Sequence, residues 1–147
     1  MPETTSQQLV VFSLGSEEYA LPIGTVHEII RFSQPRAVAS EVPWIRGVIG
    51  LRGKIIPIFD LAARMGLKPT GDAPGKIVIV SSPGGQVGVM VDDVDEVLTV
   101  EAEQLEDVPT ANRDSIEAIA KIDDRLVVLL NVEGLFAREA ADLAPAA

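Results

Sequence analysis

The sequence predicts a mainly β protein built as two similar small lobes, and three observations carry that reading. Short apolar segments bounded by Gly, Pro, Ser or Asp follow one another along the chain, the pattern expected of barrels and sandwiches. Helix signals are few and brief. Two stretches of the second half also repeat the apolar pattern of two stretches of the first, which is the trace a duplicated unit leaves in a sequence.

The strand-like segments are Leu9 to Leu14, Glu18 to Leu21, Val48 to Leu51, Lys54 to Leu61, Lys76 to Ser81, Gln86 to Val91, Glu96 to Val100, Ile116 to Ile122 and Arg125 to Val132. Their β-branched content suits a pleated surface. Gly84-Gly85, between IVIVSS and QVGVMV, signals a tight hairpin, because glycine reaches the positive φ that such turns need. Asp123-Asp124 is a weaker signal of the same kind. Short helices are expected over Ile23 to Ile30, over Leu61 to Met65 with Gly66 as the stop, and in an Ala-rich tail from Val132. Lys68 to Gly75, KPTGDAPG, concentrates turn formers and reads as an exposed linker.

The repeat is found by writing Tyr19 to Ile30 over Val87 to Leu98, an offset of 68 residues. Apolar residues then coincide at Tyr19/Val87, Leu21/Val89, Ile23/Val91, Val26/Val94, Ile29/Val97 and Ile30/Leu98, with Glu28 over Glu96. Leu51 to Leu61 over Ile122 to Val132, an offset of 71, pairs Lys54 with Arg125 and Asp60 with Asn131. The two offsets agree to within a short insertion, so two lobes at about 8–68 and 76–136 are expected. Lobes of that size are marginal alone and should share buried surface.

Bulk properties narrow the function classes. The 147 residues include 47% hydrophobic ones, enough for a core, and carry a net charge of -10, which repels phosphate backbones and argues against nucleic acid. The absence of cysteine excludes thiolate metal sites and a cysteine nucleophile. MPETTSQQ lacks the basic start and apolar stretch of a secretory signal, and no apolar run has the length of a membrane span. A cytoplasmic protein without direct membrane insertion is expected.

Chemical motifs fail one by one. GVIGLRGK lacks the Gly at position 48 and the Ser or Thr at 55 of a phosphate loop. Asp92, Asp93, Asp95 and Glu96 lack the order of an EF-hand loop, and a solvated acidic turn is the plainer reading. His27 is the sole histidine and no G-x-S-x-G elbow accompanies it. No catalytic residue, metal ligand or cofactor is expected, although a groove between lobes would suit a small-molecule-binding barrel or enzyme as a competing class.

The densest information lies in Pro43 to Leu61, PWIRGVIGLRGKIIPIFDL, where Gly47, Gly50 and Gly53 recur between aliphatic runs and Arg52 sits at the corner. On composition alone Arg52 is a solvated charge. The segment nevertheless carries the pattern PxxIRGVxxLRGxIxPIxDL, in Pro43, Ile45, Arg46, Gly47, Val48, Leu51, Arg52, Gly53, Ile55, Pro57, Ile58, Asp60 and Leu61. With FSLGSEEYALPIGTVHEII before it and GVMVDDVDEVL and LVVLLNVEGLF after it, the chain from Leu9 to Phe136 resembles the CheW family of chemotaxis coupling proteins.

The resemblance implies a single domain over 8–136 made of two five-stranded SH3-like barrels around a shared hydrophobic core. Residues 1–7 and 137–147 are then tails, the second partly helical. It implies a non-catalytic adaptor linking the cytoplasmic tips of chemoreceptors, the methyl-accepting chemotaxis proteins, to the histidine kinase CheA, whose regulatory domain shares the fold. Carried over by position, Glu28, Arg52, Val94 and Val97 face the receptor, and Val26, Ile30 and Gly47 face the kinase. Each has a plainer reading: Glu28 on the polar face of a short helix, Val94 and Val97 in the core, Gly47 as a backbone requirement. Where the family usually has Asn before Leu-Arg-Gly this chain has Gly50, which leaves open a coupling role in another chemosensory-like pathway, such as twitching motility or gene regulation.

Overall fold

The computed structural model describes residues 6–38, 44–67, 75–82, 85–107, 116–132 and 134–135. The strands are β1 (Gln7–Leu14), β2 (Glu17–Pro22), β3 (Val26–Arg31), β4 (Ile45–Leu51), β5 (Lys54–Asp60), β6 (Lys76–Ser82), β7 (Gly85–Val91), β8 (Asp93–Val100), β9 (Leu105–Glu106), β10 (Ile116–Ile122) and β11 (Arg125–Leu130), and a short helix, α1, spans Leu61–Arg64. Each of the nine strand-like segments of the sequence is found among them. β6 and β7 pair out to Ser82 opposite Gly85, which places Gly85 in the strand, while Gly84 of the expected turn lies outside the described residues.

Two sheets form, in the orders β8-β1-β2-β11-β10-β9 and β3-β6-β7-β5-β4. The second uses residues between 26 and 91 and is called the central lobe; the first uses both ends of the chain and is called the terminal lobe. Each closes on itself. β8 and β9 are joined by the 3-10 turn Ala102–Gln104, yet stand at opposite edges of the terminal sheet. In the central sheet the chain leaving β3 crosses to the far edge, where Arg36 and Val48 exchange backbone hydrogen bonds of 2.8 and 2.9 Å. The crossing segment covers part of the β4 edge, which would otherwise invite aggregation.

The sequence expectation of consecutive lobes, at about 8–68 and 76–136, needs correction. The β1–β2 hairpin leaves its own repeat and pairs with β8 and β11, while β6–β7 pairs with β3 and β5. The repeat itself is borne out register by register. Ile58 opposite Gly88 in the central lobe answers Leu129 opposite Ala20 in the terminal lobe. Register shifts fall between Val26 and Glu28 and, 68 residues later, opposite Glu96 and Val94; others fall between Ile45 and Gly47 and between Ile116 and Ala118. The lobes are thus exchanged versions of one unit, because a hairpin's outer edges are satisfied by the strands of the other repeat; the central lobe has the expected five strands, and the terminal lobe has six through the added β9. Of the expected linker only Gly75 is described, and Pro43 lies outside the described residues.

The exchange explains why several strands read as unbroken apolar runs: both of their faces are covered. Leu9, Val11 and Ala20 turn into the terminal barrel with Val100, Ala118, Ala120, Val127 and Leu129. Phe12, Leu14, Tyr19 and Leu21 turn the other way and pack with Phe59, Val78, Val80, Val87 and Val89 between the lobes. Ile77 and Ile79 fill the central barrel with Ile49, Ile56 and Ile58.

The helix expected over Ile23 to Ile30 is instead a 3-10 turn, Ile23–Thr25, followed by β3. Thr25, Val26, Ile29 and Ile30 are β-branched, and the unpaired edge of β6 offers them backbone partners. Glu28 therefore lies on an alternating strand and not on a helix. Expected helix Leu61 to Met65 appears as α1, with Asp60 Oδ1 accepting from Ala63 N at 3.1 Å as its N-cap. Its repeat partner Asn131 does the same for Gly134 N at 3.3 Å, and Leu135 N donates to Asn131 O at 2.8 Å. That single turn lies where the expected C-terminal helix starts, and residues 136–147 lie outside the described residues.

Candidate functional site

Leu51 opposite Lys54 closes the β4–β5 hairpin on the two residues Arg52 and Gly53, at φ 51 and 79. Two positive φ values are the requirement of the tight turn whose twist suits a hairpin, and Asn-Gly or Asp-Gly satisfies it best. Arginine gains nothing there and pays about 1 kcal/mol for the left-handed backbone. A residue kept at an unfavourable backbone position points to a use for its side chain.

The side chain of Arg52 reaches back to β3, where its guanidinium donates to Glu28 Oε1. Glu28 shares a strand face with Ile30, which packs on the central core, and keeps 22% of its side chain exposed against 69% for Arg52. The pair joins residues 24 apart in sequence and leaves most of the guanidinium in water. Of the five donors in its planar fork, those not turned to Glu28 are available to a carboxylate or a backbone carbonyl. Arg46 is committed elsewhere: its Nε and Nη2 donate to Asp60 Oδ2 at 3.0 and 2.5 Å, which fixes the N-cap of α1.

The terminal lobe carries the duplicate of this arrangement in a closed form. Glu96 stands where Glu28 does and again meets an arginine, but the cation is Arg125, the counterpart of Lys54. Arg125 donates to Glu18 from Nε and Nη2 at 3.0 Å each, and from Nη2 to Glu96 at 2.9 Å. Hydrogen bonds to Glu18 and then Glu96 hold its proton even more firmly than usual. Asp95 beside them has its carboxyl pKa raised, first by desolvation and then by repulsion from Glu18, Asp93 and Glu96, with Arg125 opposing. The turn position equivalent to Arg52 holds Asp123 at φ 54, a residue type that tolerates it. Arg125 is tied down on two sides, whereas Arg52 has one tether and faces solvent.

The other sequence-selected residues are distributed as follows. Val26 opens β3 and packs on the core between the lobes, and Ile30 packs on the central core. Gly47 is buried at φ 146, and a Cβ there would meet Arg36 O at 2.1 Å; its glycine is required by the crossing chain, and any partner it serves is met through its neighbours. Val94 is half-buried on the inter-lobe core, while Val97 is 50% exposed on β8. The structure thus joins Glu28 to Arg52 in the central lobe and places Val94 and Val97 in the terminal one. Gly50 needs no special backbone, since its φ is not positive and an added Cβ would find nothing within 4 Å.

Among the exposed aliphatics that escaped the sequence reading are Ile55 at 75%, Leu126 at 62% and Ile29 at 41%. Apolar residues within an apolar strand, as at Ile55 and Leu126, or on the apolar side of an expected helix, as at Ile29, look like core. The repeat held the clue, because Ile55 answers Leu126 and Ile29 answers Val97. Gly50 opposite Ile55 leaves that side chain without a cross-strand cover.

A family model described as the CheW-like domain matches residues 8–140. The chain is 33% identical to the probable chemotaxis protein CheW of Rhizobium etli, covering 94% of this chain and 92% of that protein. It is also 33% identical to the chemotaxis protein CheW of Klebsiella aerogenes, over 93% and 86%. The crystal structure of the scaffolding protein TtCheW from Thermoanaerobacter tengcongensis superposes with a TM-score of 0.84 at 33% identity, covering 93% of this chain and 97% of that one. With the family model matched over residues 8–140 and relatives 33% identical along nearly the whole chain, the chain belongs to the CheW-like family.

Proposed function

We propose that this protein is a non-catalytic adaptor that couples chemoreceptors to the histidine kinase CheA, with Arg52 and Glu28 at the centre of its receptor-facing surface. One observation carries the residue assignment: Arg52 keeps a costly left-handed backbone and a mostly exposed guanidinium, tethered by Glu28, while its duplicate position holds an undemanding Asp123. Arginine with a free, oriented fork is among the residues that dominate protein interfaces. Family membership and the chemotaxis and scaffolding names of the relatives support the wider role.

Val94 and Val97 extend the receptor surface onto the terminal lobe in this reading. The kinase side is assigned to β3 and β4, the edge strands that carry Val26, Ile30 and Gly47 and are joined by the crossing segment at Arg36. No helix among the described residues is long and apolar enough to cross a membrane, and the adaptor acts in the cytoplasm where receptor tips gather into arrays. Receptor-tip pull-down tests the assignment. Arg52→His and Glu28→Lys should each reduce receptor capture tenfold or more while the melting temperature holds; unchanged capture by both variants contradicts it.

A further inference from the structure

Each repeat alone would keep little of this fold. Residues 6–67 retain the hairpins β1–β2 and β4–β5, and residues 75–135 retain β6–β7 and β10–β11 with β9. The four remaining pairings, β1 with β8, β2 with β11, β3 with β6 and β5 with β7, all run between repeats. All three hydrophobic clusters draw side chains from both repeats as well. Isolated hairpins with half a core are at best marginally stable in water.

We infer that the two repeats are obligate partners of each other, a heterodimer of half-chains whose interface is the exchanged pair of hairpins and whose covalent connection is dispensable. Charge makes the pairing selective. Residues 6–67 hold six Lys and Arg against five Asp and Glu, and residues 75–135 hold four against thirteen. Two copies of the second half would repel one another. Across the mixed interface Arg125 of the second half binds Glu18 of the first, and Asp92 Oδ2 accepts from Gly15 N at 2.6 Å.

The test uses the full chain with a protease site inserted between residues 68 and 74, whose flanks are anchored by Leu67 N on Ala62 O and Gly75 N on Val91 O. After cutting, both fragments should co-elute at the volume of the intact chain as a one-to-one complex with unchanged circular dichroism. Refolding from urea should then become second order, with a half-time that falls about tenfold for a tenfold rise in concentration, while the uncut chain shows no such dependence. A second preparation, with the halves translated as separate chains in one cell, should yield the same complex. Separate elution of a folded half, a homodimer of either half, or concentration-independent refolding of the cut protein would each overturn the inference.

Discussion

Arg52 and Asp123 hold the same left-handed backbone position in the two repeats, φ 51 and 54, and differ in what that position costs them. Asp accepts it with a short polar side chain, whereas Arg incurs about 1 kcal/mol. The exposed ion pair to Glu28 returns only a fraction of that, roughly 0.5 kcal/mol. Arg52→Asn is therefore expected to leave the melting temperature unchanged or slightly raised while receptor capture falls. A destabilised variant would show that Arg52 is kept for the fold.

Gly47→Ala should be severe for a different reason. Its Cβ would lie 2.1 Å from Arg36 O at a φ of 146, so the crossing segment must move off β4. The expected loss is about 3 kcal/mol, visible as a drop in melting temperature of roughly 10 °C. Kinase binding measured well below that transition distinguishes a damaged surface from a damaged fold.

Gly50→Asn should be tolerated, because the site offers open space and an ordinary backbone. Stability should stay within about 0.5 kcal/mol of the parent, and receptor pull-down should be retained or increased. Loss of binding to the chain's own receptors would mark Gly50 as a specificity device of a different pathway.

Asp95 gives a pH signature. Its folded pKa is raised, so the folded state holds its proton more tightly than the unfolded chain does. Stability from this group is present below the ordinary Asp value and is lost as pH rises through the raised one. Asp95→Asn should raise the melting temperature at neutral pH, with the gain shrinking toward acid and in high salt, since the site is exposed. Arg125→Met should act in the opposite direction by leaving Glu18 and Glu96 without their shared cation and Asp95 without its nearby positive charge. Equal melting curves across pH for parent and Asp95→Asn would contradict the assignment of this strain.

Most strands were legible because β-branched runs and turn formers act locally, and the repeat registers at offsets of 68 and 71 proved accurate to the residue at Asp60 and Asn131. The exchange of hairpins was not legible. Strand composition says that Val10 or Val78 is buried, but not whose edge it meets. β3 was misread because TVHEII satisfies a helical apolar spacing, and the deciding factor was a distant one, the waiting edge of β6. Arg52 stood out only through its glycine setting and family pattern; its tie to Glu28 depends on barrel closure, which no local pattern records.

The most direct test of the adaptor role is receptor-controlled kinase activity in a reconstituted mixture of receptor tips, CheA and this protein. With the parent chain, autophosphorylation should respond to receptor state. With the protein omitted, or with Arg52→His in its place, that response should fall at least tenfold while the basal kinase rate is kept. Undiminished receptor control in either case would contradict the account.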